Sequence, residues 1–401
     1  MKEIFLTKEE ESILNGEKGE TLSKLLKLVV RLGDSYGAEK LIEIVSAHTV
    51  LNFGLNFVNA AAEVLHQIAE AGLKVKVRTT ADPILDFDYA EELKTIIPLF
   101  QLHDQLMEDL TKIGVHGFTC TPYFLDNKPK LGDHCAWSES SAVIYLNSIL
   151  GARSNREGGL LDLACAITGK TPYNGLHIDE NRKGELLFKI SPDIDYSDNF
   201  NLTSIGLRIG EIAGNKIPVI DGFKNITTDN LKNLGAASAA TGAVALIHVI
   251  GMTPEARDLK SAFQGDKPGE IIEIDNNDLK EVREKYSTNW TQPPVSITTG
   301  CPQLSEEEVI DLLNKLKGKK IMKEMNLWIC TNEVSKRKII NSQYNEILKK
   351  SGAKLTSLCP LLTTLPRPLT TNSAKTCFYS NATYRNIDDC IKIATEGMKN
   401  D

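Results

Sequence analysis

The sequence predicts an α/β protein built on mainly parallel sheets, and three observations carry that prediction. Short β-type apolar runs alternate with amphipathic helical stretches along most of the chain, the pattern of βαβ units. Helix starts carry capping signals, Thr7 with Glu10 and Ser305 with Glu308. Two runs end alike: residues 295–300 lead into Cys301-Pro302 and residues 354–358 into Cys359-Pro360. Each thiol is thereby placed where a strand would end, the edge at which open α/β sheets collect ligands.

Taken in order, the Thr7 box starts a short helix that Gly16 ends, and a second helix follows to about residue 33. An apolar run from Leu41 to Ala47, an Ala-rich amphipathic stretch from Val58 to Ala71 closed by Gly72, and a strand-like run from Val75 to Thr80 make the first βαβ material. A long helix ends at Gly114, a loop carries Cys120, and a helix covers Ser140 to Leu150. Strands are expected at Leu186–Ile190, Ile217–Ile220, Val244–Ile250 and Ile271–Ile274. The run from Gly235 to Ala243 is so rich in small residues that neighbouring backbones must approach closely there, and it lacks the G-x-G-x-x-G spacing of a dinucleotide site. Asn289 to Pro294 reads as a linker. Beyond it come a strand at 295–300, a helix capped by Ser305, a strand Leu327–Thr331, a helix ending near Gly352, a strand at 354–358 and a last helix from Asn386 to Met398.

This pattern divides the chain into residues 1–287, an N-terminal α/β core of one body or two intertwined subdomains, and residues 294–401, a C-terminal α/β domain carrying both Cys-Pro turns. The 401 residues, 41% hydrophobic and 25% charged, suffice for a large core. A net charge of −7 argues against phosphate-backbone binding, so no nucleic-acid partner is expected. No charged leader with an apolar core opens the chain, and no apolar run reaches the ~20 residues that span a bilayer, so a cytoplasmic protein without a membrane partner is expected. Eight cysteines in such a chain are read as thiols rather than as a disulfide framework. Cys135, Cys165, Cys330, Cys377 and Cys390 read as small buried hydrophobes.

Cys120, Cys301 and Cys359 read differently. Proline follows Cys301 and Cys359 directly and Cys120 two residues on, which removes a backbone donor and holds each thiol on a rigid turn. Three thiolates suit an iron-sulfur cluster with one open iron, able to bind a hydroxyl and a carboxylate as a Lewis acid. Three separate buried cysteines remain the alternative, because no C-x-x-C pair is present. Glu139, Ser140 and Ser141 fall at a helix start that favours an anion, or simply caps itself. Arg153 and Arg156 suit carboxylate or phosphate recognition but equally hold loops through ion pairs; the cluster from His177 to Arg182 is polar and short. Lys375 stands in a loop of small polar residues as a point charge for an anion.

The motifs Cys120-Thr121-Pro122-Tyr123, Trp137-Ser138-Glu139-Ser140-Ser141, Leu150-Gly151-Ala152-Arg153, Asn155-Arg156-Glu157-Gly158-Gly159, Gly175-Leu176-His177, Asp179-Glu180-Asn181-Arg182, Gly300-Cys301-Pro302 and Thr371-Asn372-Ser373-Ala374-Lys375 together resemble the aconitase X family across nearly the whole chain. That resemblance implies an aconitase-like multi-domain α/β/α architecture and an iron-sulfur hydro-lyase, with a cluster held by Cys120, Cys301 and Cys359. The cluster is most simply a 4Fe-4S cluster; a 2Fe-2S centre or a mononuclear iron also fits three thiolates. The family's substrate contacts carry over to Glu139, Ser140, Lys375 and Pro83, with Asp82 beside the last. The chain resembles the large subunit of the two-subunit forms. A separate small swivelling-domain subunit is therefore expected to supply the catalytic base, a serine, leaving no catalytic residue here. For such forms the resemblance implies dehydration of the anionic substrate (R)-5-phosphomevalonate to trans-anhydromevalonate 5-phosphate, a mevalonate-pathway step of isoprenoid synthesis; cis-3-hydroxyproline or another hydroxy acid is the alternative within the class, and a non-catalytic metal-binding protein the alternative outside it. The substrate rim departs from the family's pattern at Leu51-Asn52-Phe53, at Asp82 in place of an amide, and at Gln303 in place of a histidine. A carboxylate at Asp82 beside an anionic substrate is unfavourable unless paired.

Overall fold

The structure, a computed structural model, describes residues 4–51, 55–83, 86–89, 97–288, 290, 292–361, 365 and 367–398. Three parallel sheets, each with its own apolar core, organise it. The capping box at Thr7 forms as expected and starts the helix Lys8–Leu14. The run expected from Leu41 to Ala47 is two strands, β1 (Leu41–Glu43) and β2 (Ser46–Thr49), with Val45 exposed between them. β2 lies at the centre of a three-stranded parallel sheet between β3 (Arg78–Ala81) and β4 (Cys135–Trp137), while β1 turns away to pair antiparallel with β5 (Lys170–Pro172). The helix Gly159–Thr168 packs on β2 and on the helix Glu20–Ser35. Its first glycine permits that approach, since a Cβ on Gly159 would overlap the backbone of Val50. The helix expected over Ser140–Leu150 forms, regular to Tyr145 and widened into a π-turn from Leu146 to Leu150.

The second sheet holds β6 (Leu186–Ile190), β7 (Pro218–Asp221), β8 (His248–Val249) and β9 (Glu270–Ile274) in the order β8-β7-β6-β9. Of the strand expected from Val244 to Ile250 only two residues pair. The preceding backbone is satisfied by side chains instead: Asn147 Nδ2 donates to the Ala245 carbonyl at 2.9 Å and the Ile247 N–H donates to Ser148 Oγ at 2.9 Å. Beside this sheet the small-residue run forms most of the helix Thr228–Thr241, which meets the helix Asn199–Ala213 where Gly206 and Gly210 face its backbone; a Cβ at either glycine would overlap Leu234 or Ser238.

The third sheet contains β10 (Ser296–Leu304), β11 (Asn326–Thr331), β12 (Lys354–Thr356), β13 (Leu369–Thr371) and β14 (Thr383–Tyr384), all parallel in the order β12-β11-β10-β13-β14. The Ser305 capping box starts the helix Glu306–Leu316. Cys301 was expected just past a strand end. It lies instead inside the extended β10, where pairing with β11 is regular from Ser296 to Thr299 and then slips before resuming at Leu304. Gly300 makes the slip possible: its φ is +92°, a region that favours glycine, and a Cβ would strike the Cys330 carbonyl. Of the linker, Asn289 and Thr291 lie outside the described residues. Among the described residues no helix is long and apolar enough to cross a membrane.

Candidate functional site

Each candidate cysteine leaves the end or the slipped segment of a parallel strand. Cys120 follows the bridge by which Phe118 extends β3 at Ala81, Cys301 sits in the slip of β10, and Cys359 lies just beyond β12. All three are buried. Burial pushes the Cys120 thiol well up, and the neighbouring Cys359, Glu139, Asp82 and Cys301 push it further. Burial does the same at Cys359, with Cys301 and Asp82 adding to it. At Cys301 burial again raises the thiol, opposed by Lys375 and Thr376. The three thiols thus share one electrostatic neighbourhood, and without a metal they hold their protons, so ligation there must release them. Among the described residues no three His, Cys, Asp or Glu side chains converge closely enough to hold a single ion. The geometry that links their segments runs through Gln303, two residues after Cys301, whose backbone N–H lies 3.4 Å from Cys120 Sγ and whose Nε2 donates to the Ser357 carbonyl two residues before Cys359; a sulfur-only donor set is the one that iron-sulfur clusters take.

Beside the thiols stands a buried ion pair. Glu139 begins the helix Ser140–Tyr145 with φ +74°, rare for a residue with a side chain, and its carboxylate accepts from the Ala142 N–H at 2.8 Å and from Ser141 Oγ at 2.5 Å. The Lys375 ammonium donates to the other carboxylate oxygen and reaches Ser141 Oγ at 3.2 Å. Burial alone would raise the Glu139 carboxyl, but Lys375 and the hydrogen bonds bring it below its ordinary value. Burial alone would lower Lys375, but Glu139 and Cys301 hold it above its own. The pair is therefore charged on both sides. The strained backbone at Glu139 is held by its cap to Ala142 and its bond to Lys375.

Asp82 is buried, and its carboxylate has the partner its position demands: His48 Nε2 lies 3.2 Å from Oδ1. The network assigns the tautomer. Asn127 Nδ2 donates to Thr80 Oγ1 at 2.9 Å, Thr80 can then donate to His48 Nδ1 at 2.9 Å, and Nε2–H is left for Asp82. Burial raises the Asp82 carboxyl despite His48.

Of the remaining sequence candidates, Ser140 is half-buried with Oγ 3.4 Å from Glu139, and Pro83 is buried beside Asp82. Arg153 pairs with Asp179, Arg156 donates to the Gly242 carbonyl and Arg182 pairs with Glu255, so all three serve as loop ties. On the rim, Leu51 is buried and residues 52–54 lie outside the described residues. Gln303 is no rim residue: it is fully buried and its amide bonds inside the cysteine cradle. A cleft of about 920 Å³, lined by Thr299 to Pro302, Asn372 to Lys375 and the starts of the helices Asn199–Ala213 and Thr228–Thr241, gives access to Cys301 and Lys375. Sequence reasoning missed His48, which directly follows the apolar run ending at Ala47, and Asp86, whose carboxylate binds Lys336 Nζ at 2.6 Å, Thr356 Oγ1 at 2.7 Å and the Ser357 N–H at 3.0 Å.

Fold and side chains define an α/β protein of three parallel-sheet units that brings the segments of three buried cysteines beside a buried lysine-carboxylate pair. The chain belongs to the aconitase X family: models of the family's first, second and third domains match residues 3–180, 184–284 and 295–396. It is 40% identical to the phosphomevalonate dehydratase large subunit of Thermococcus kodakarensis, over 94% of this chain and 95% of that one. It is 30% identical to the cis-3-hydroxy-L-proline dehydratase of Pseudomonas aeruginosa, over 97% of this chain and 69% of that one. The crystal structure of Thermococcus kodakaraensis aconitase X in its holo-form superposes with a TM-score of 0.86 at 38% identity, covering 98% of this chain and 100% of that one.

Proposed function

We propose that this chain is the large subunit of a hydro-lyase that removes water from (R)-5-phosphomevalonate to give trans-anhydromevalonate 5-phosphate, acting in the cytoplasm with a separate small subunit. The observation that carries the reading is the common neighbourhood of Cys120, Cys301 and Cys359 beside the Lys375–Glu139 pair, in a chain similar over almost its full length to a large subunit of that name. The three thiolates would hold a 4Fe-4S cluster, which when bound supplies an open iron as Lewis acid for the departing hydroxyl.

The chain's own residues have separate tasks in this reading. Lys375, with Ser140 at the adjacent helix start, provides positive charge and a hydroxyl for the substrate's anionic groups, while Glu139 keeps Lys375 charged and aimed. His48 holds Asp82 in place, so that its carboxyl meets the substrate partnered rather than as an added bare charge, and Pro83 lines the substrate beside it. No side chain of this polypeptide is assigned as the proton acceptor; that role falls to the small subunit. The test is to purify both subunits together without air, reconstitute with iron and sulfide, and supply 5-phosphomevalonate and cis-3-hydroxy-L-proline in parallel. Consumption of the phosphorylated substrate alone is expected. Turnover of the hydroxyproline alone, or of neither, contradicts the reading.

A further inference from the structure

We propose that Gln303 is the positioning residue that sets the spacing of the three cysteine thiols, acting through one side-chain amide that ties together three segments distant in sequence; the inference rests on the reading of those thiols as cluster ligands. Gln303 follows Cys301 by two residues and is fully buried. Its Oε1 accepts from Thr119 Oγ1 at 2.6 Å and from the N–H of Cys120 itself at 3.3 Å. Its Nε2 donates to the carbonyl of Ser357, two residues before Cys359, at 2.7 Å. Its own backbone N–H points at Cys120 Sγ, 3.4 Å away. One residue therefore contacts the Cys120 segment through backbone and side chain, belongs to the Cys301 segment, and grips the Cys359 segment.

The amide cannot be turned round. A peptide N–H can only donate and a peptide carbonyl can only accept, so the partners at Cys120 and Ser357 fix which end of the amide is oxygen. Both partners are themselves braced. Thr119 Oγ1 accepts from the Thr121 N–H at 3.0 Å, closing the Cys120 turn on itself, and the Ser357 N–H donates to Asp86 Oδ2 at 3.0 Å. Movement at Gln303 is thus transmitted to rigid segments rather than absorbed by them. The identity of the side chain follows: a strut that must accept at one end and donate at the other, at glutamine's length, is not replaced by glutamate, which puts an acceptor against the Ser357 carbonyl, or by methionine, which offers neither bond.

The test uses the two-subunit protein with wild-type, Gln303→Met and Gln303→Glu large subunits, purified and reconstituted without air. Three quantities are read: iron and sulfide retained after desalting, the paramagnetic resonance spectrum of the reduced protein, and, on metal-free samples, hydrogen-deuterium exchange of the peptides around Cys120 and Cys359. Both variants are expected to keep their circular dichroism, to retain at least fivefold less iron than wild type, and to exchange faster in those two peptides but not in the helix Asn199–Ala213. Wild-type iron content and spectrum in a folded variant, or unchanged exchange around Cys120 and Cys359, would overturn the proposal. If one variant fails to fold, the other decides. A wild-type protein that takes up no iron sinks the cluster reading first and this inference with it, which separates that failure from one confined to Gln303.

Discussion

Replacing Lys375 by Met, Glu139 by Gln, and both together measures how strongly the buried pair beside the thiols depends on each partner. Lys375 is 6% exposed and Glu139 10% in their side chains, so water does little to screen either charge. Lys375→Met leaves the carboxylate with Ser140, Ser141 and the Ala142 N–H but no cation in contact, and Glu139→Gln leaves a buried ammonium with no carboxylate in contact among the described residues. Removing one partner of a buried pair costs about 3–5 kcal/mol, whereas removing both can approach neutrality. The two single losses should therefore exceed the double loss by about 2 kcal/mol or more once summed, a coupling that only contacting residues show. Thermal unfolding of the reduced chain followed by circular dichroism reads this, each single variant dropping by about 4–6 °C for a chain of this length that unfolds as one unit. Additive losses, with the double variant as unstable as the sum, would refute the argument that the pair is charged and mutually dependent.

Two further outcomes follow from other buried carboxyls. Burial holds Glu157 at about 7, above its ordinary 4.5, so the folded chain keeps a proton that the unfolded chain gives up. The resulting stability is present in full below about pH 4.5 and is lost as pH rises through 7; Glu157→Gln should therefore leave melting at pH 4.5 unchanged and raise stability at pH 8 by up to about 3 kcal/mol, and equal effects at both would contradict the assignment. Asp86 lies the other way: burial would raise it, but Lys336, Ser357 and Thr356 bring it below its ordinary value, so its contribution is present above the usual carboxylate range and fades as pH falls through its depressed value. Lys336 keeps Asp88 and Glu333, so Asp86→Ala should cost about 1–3 kcal/mol at pH 7 through the lost bonds to Thr356 and Ser357, checked by the melting temperature, with an unchanged melting temperature counting against it.

The readable parts of the sequence were those whose cause is local. A capping box needs only residues three apart, and Thr7 and Ser305 start helices as expected. Strand β6 matches its expected bounds because a buried parallel strand is a continuous apolar run. The run from Val244 to Ile250 misleads for the same reason: its side chains are as apolar as a strand's, but Asn147 and Ser148, about a hundred residues earlier, take its backbone hydrogen bonds. The Cys-Pro signal misplaced Cys301, which lies inside β10 because Gly300 lets the pairing with β11 slip there. The pairing of Asp82 with His48, and the burial of Gln303 between the Cys120 and Cys359 segments, were not legible, since both depend on which segments the sheets bring together across the fold.

The most direct measurement is the iron and acid-labile sulfide content of the anaerobically purified two-subunit protein beside Cys120→Ser, Cys301→Ser and Cys359→Ser. The account predicts about four of each per wild-type chain and a marked loss in every variant, with circular dichroism retained. Full iron and sulfide in any one of the three variants would remove that sulfur from the site and contradict the claim that all three serve a single centre.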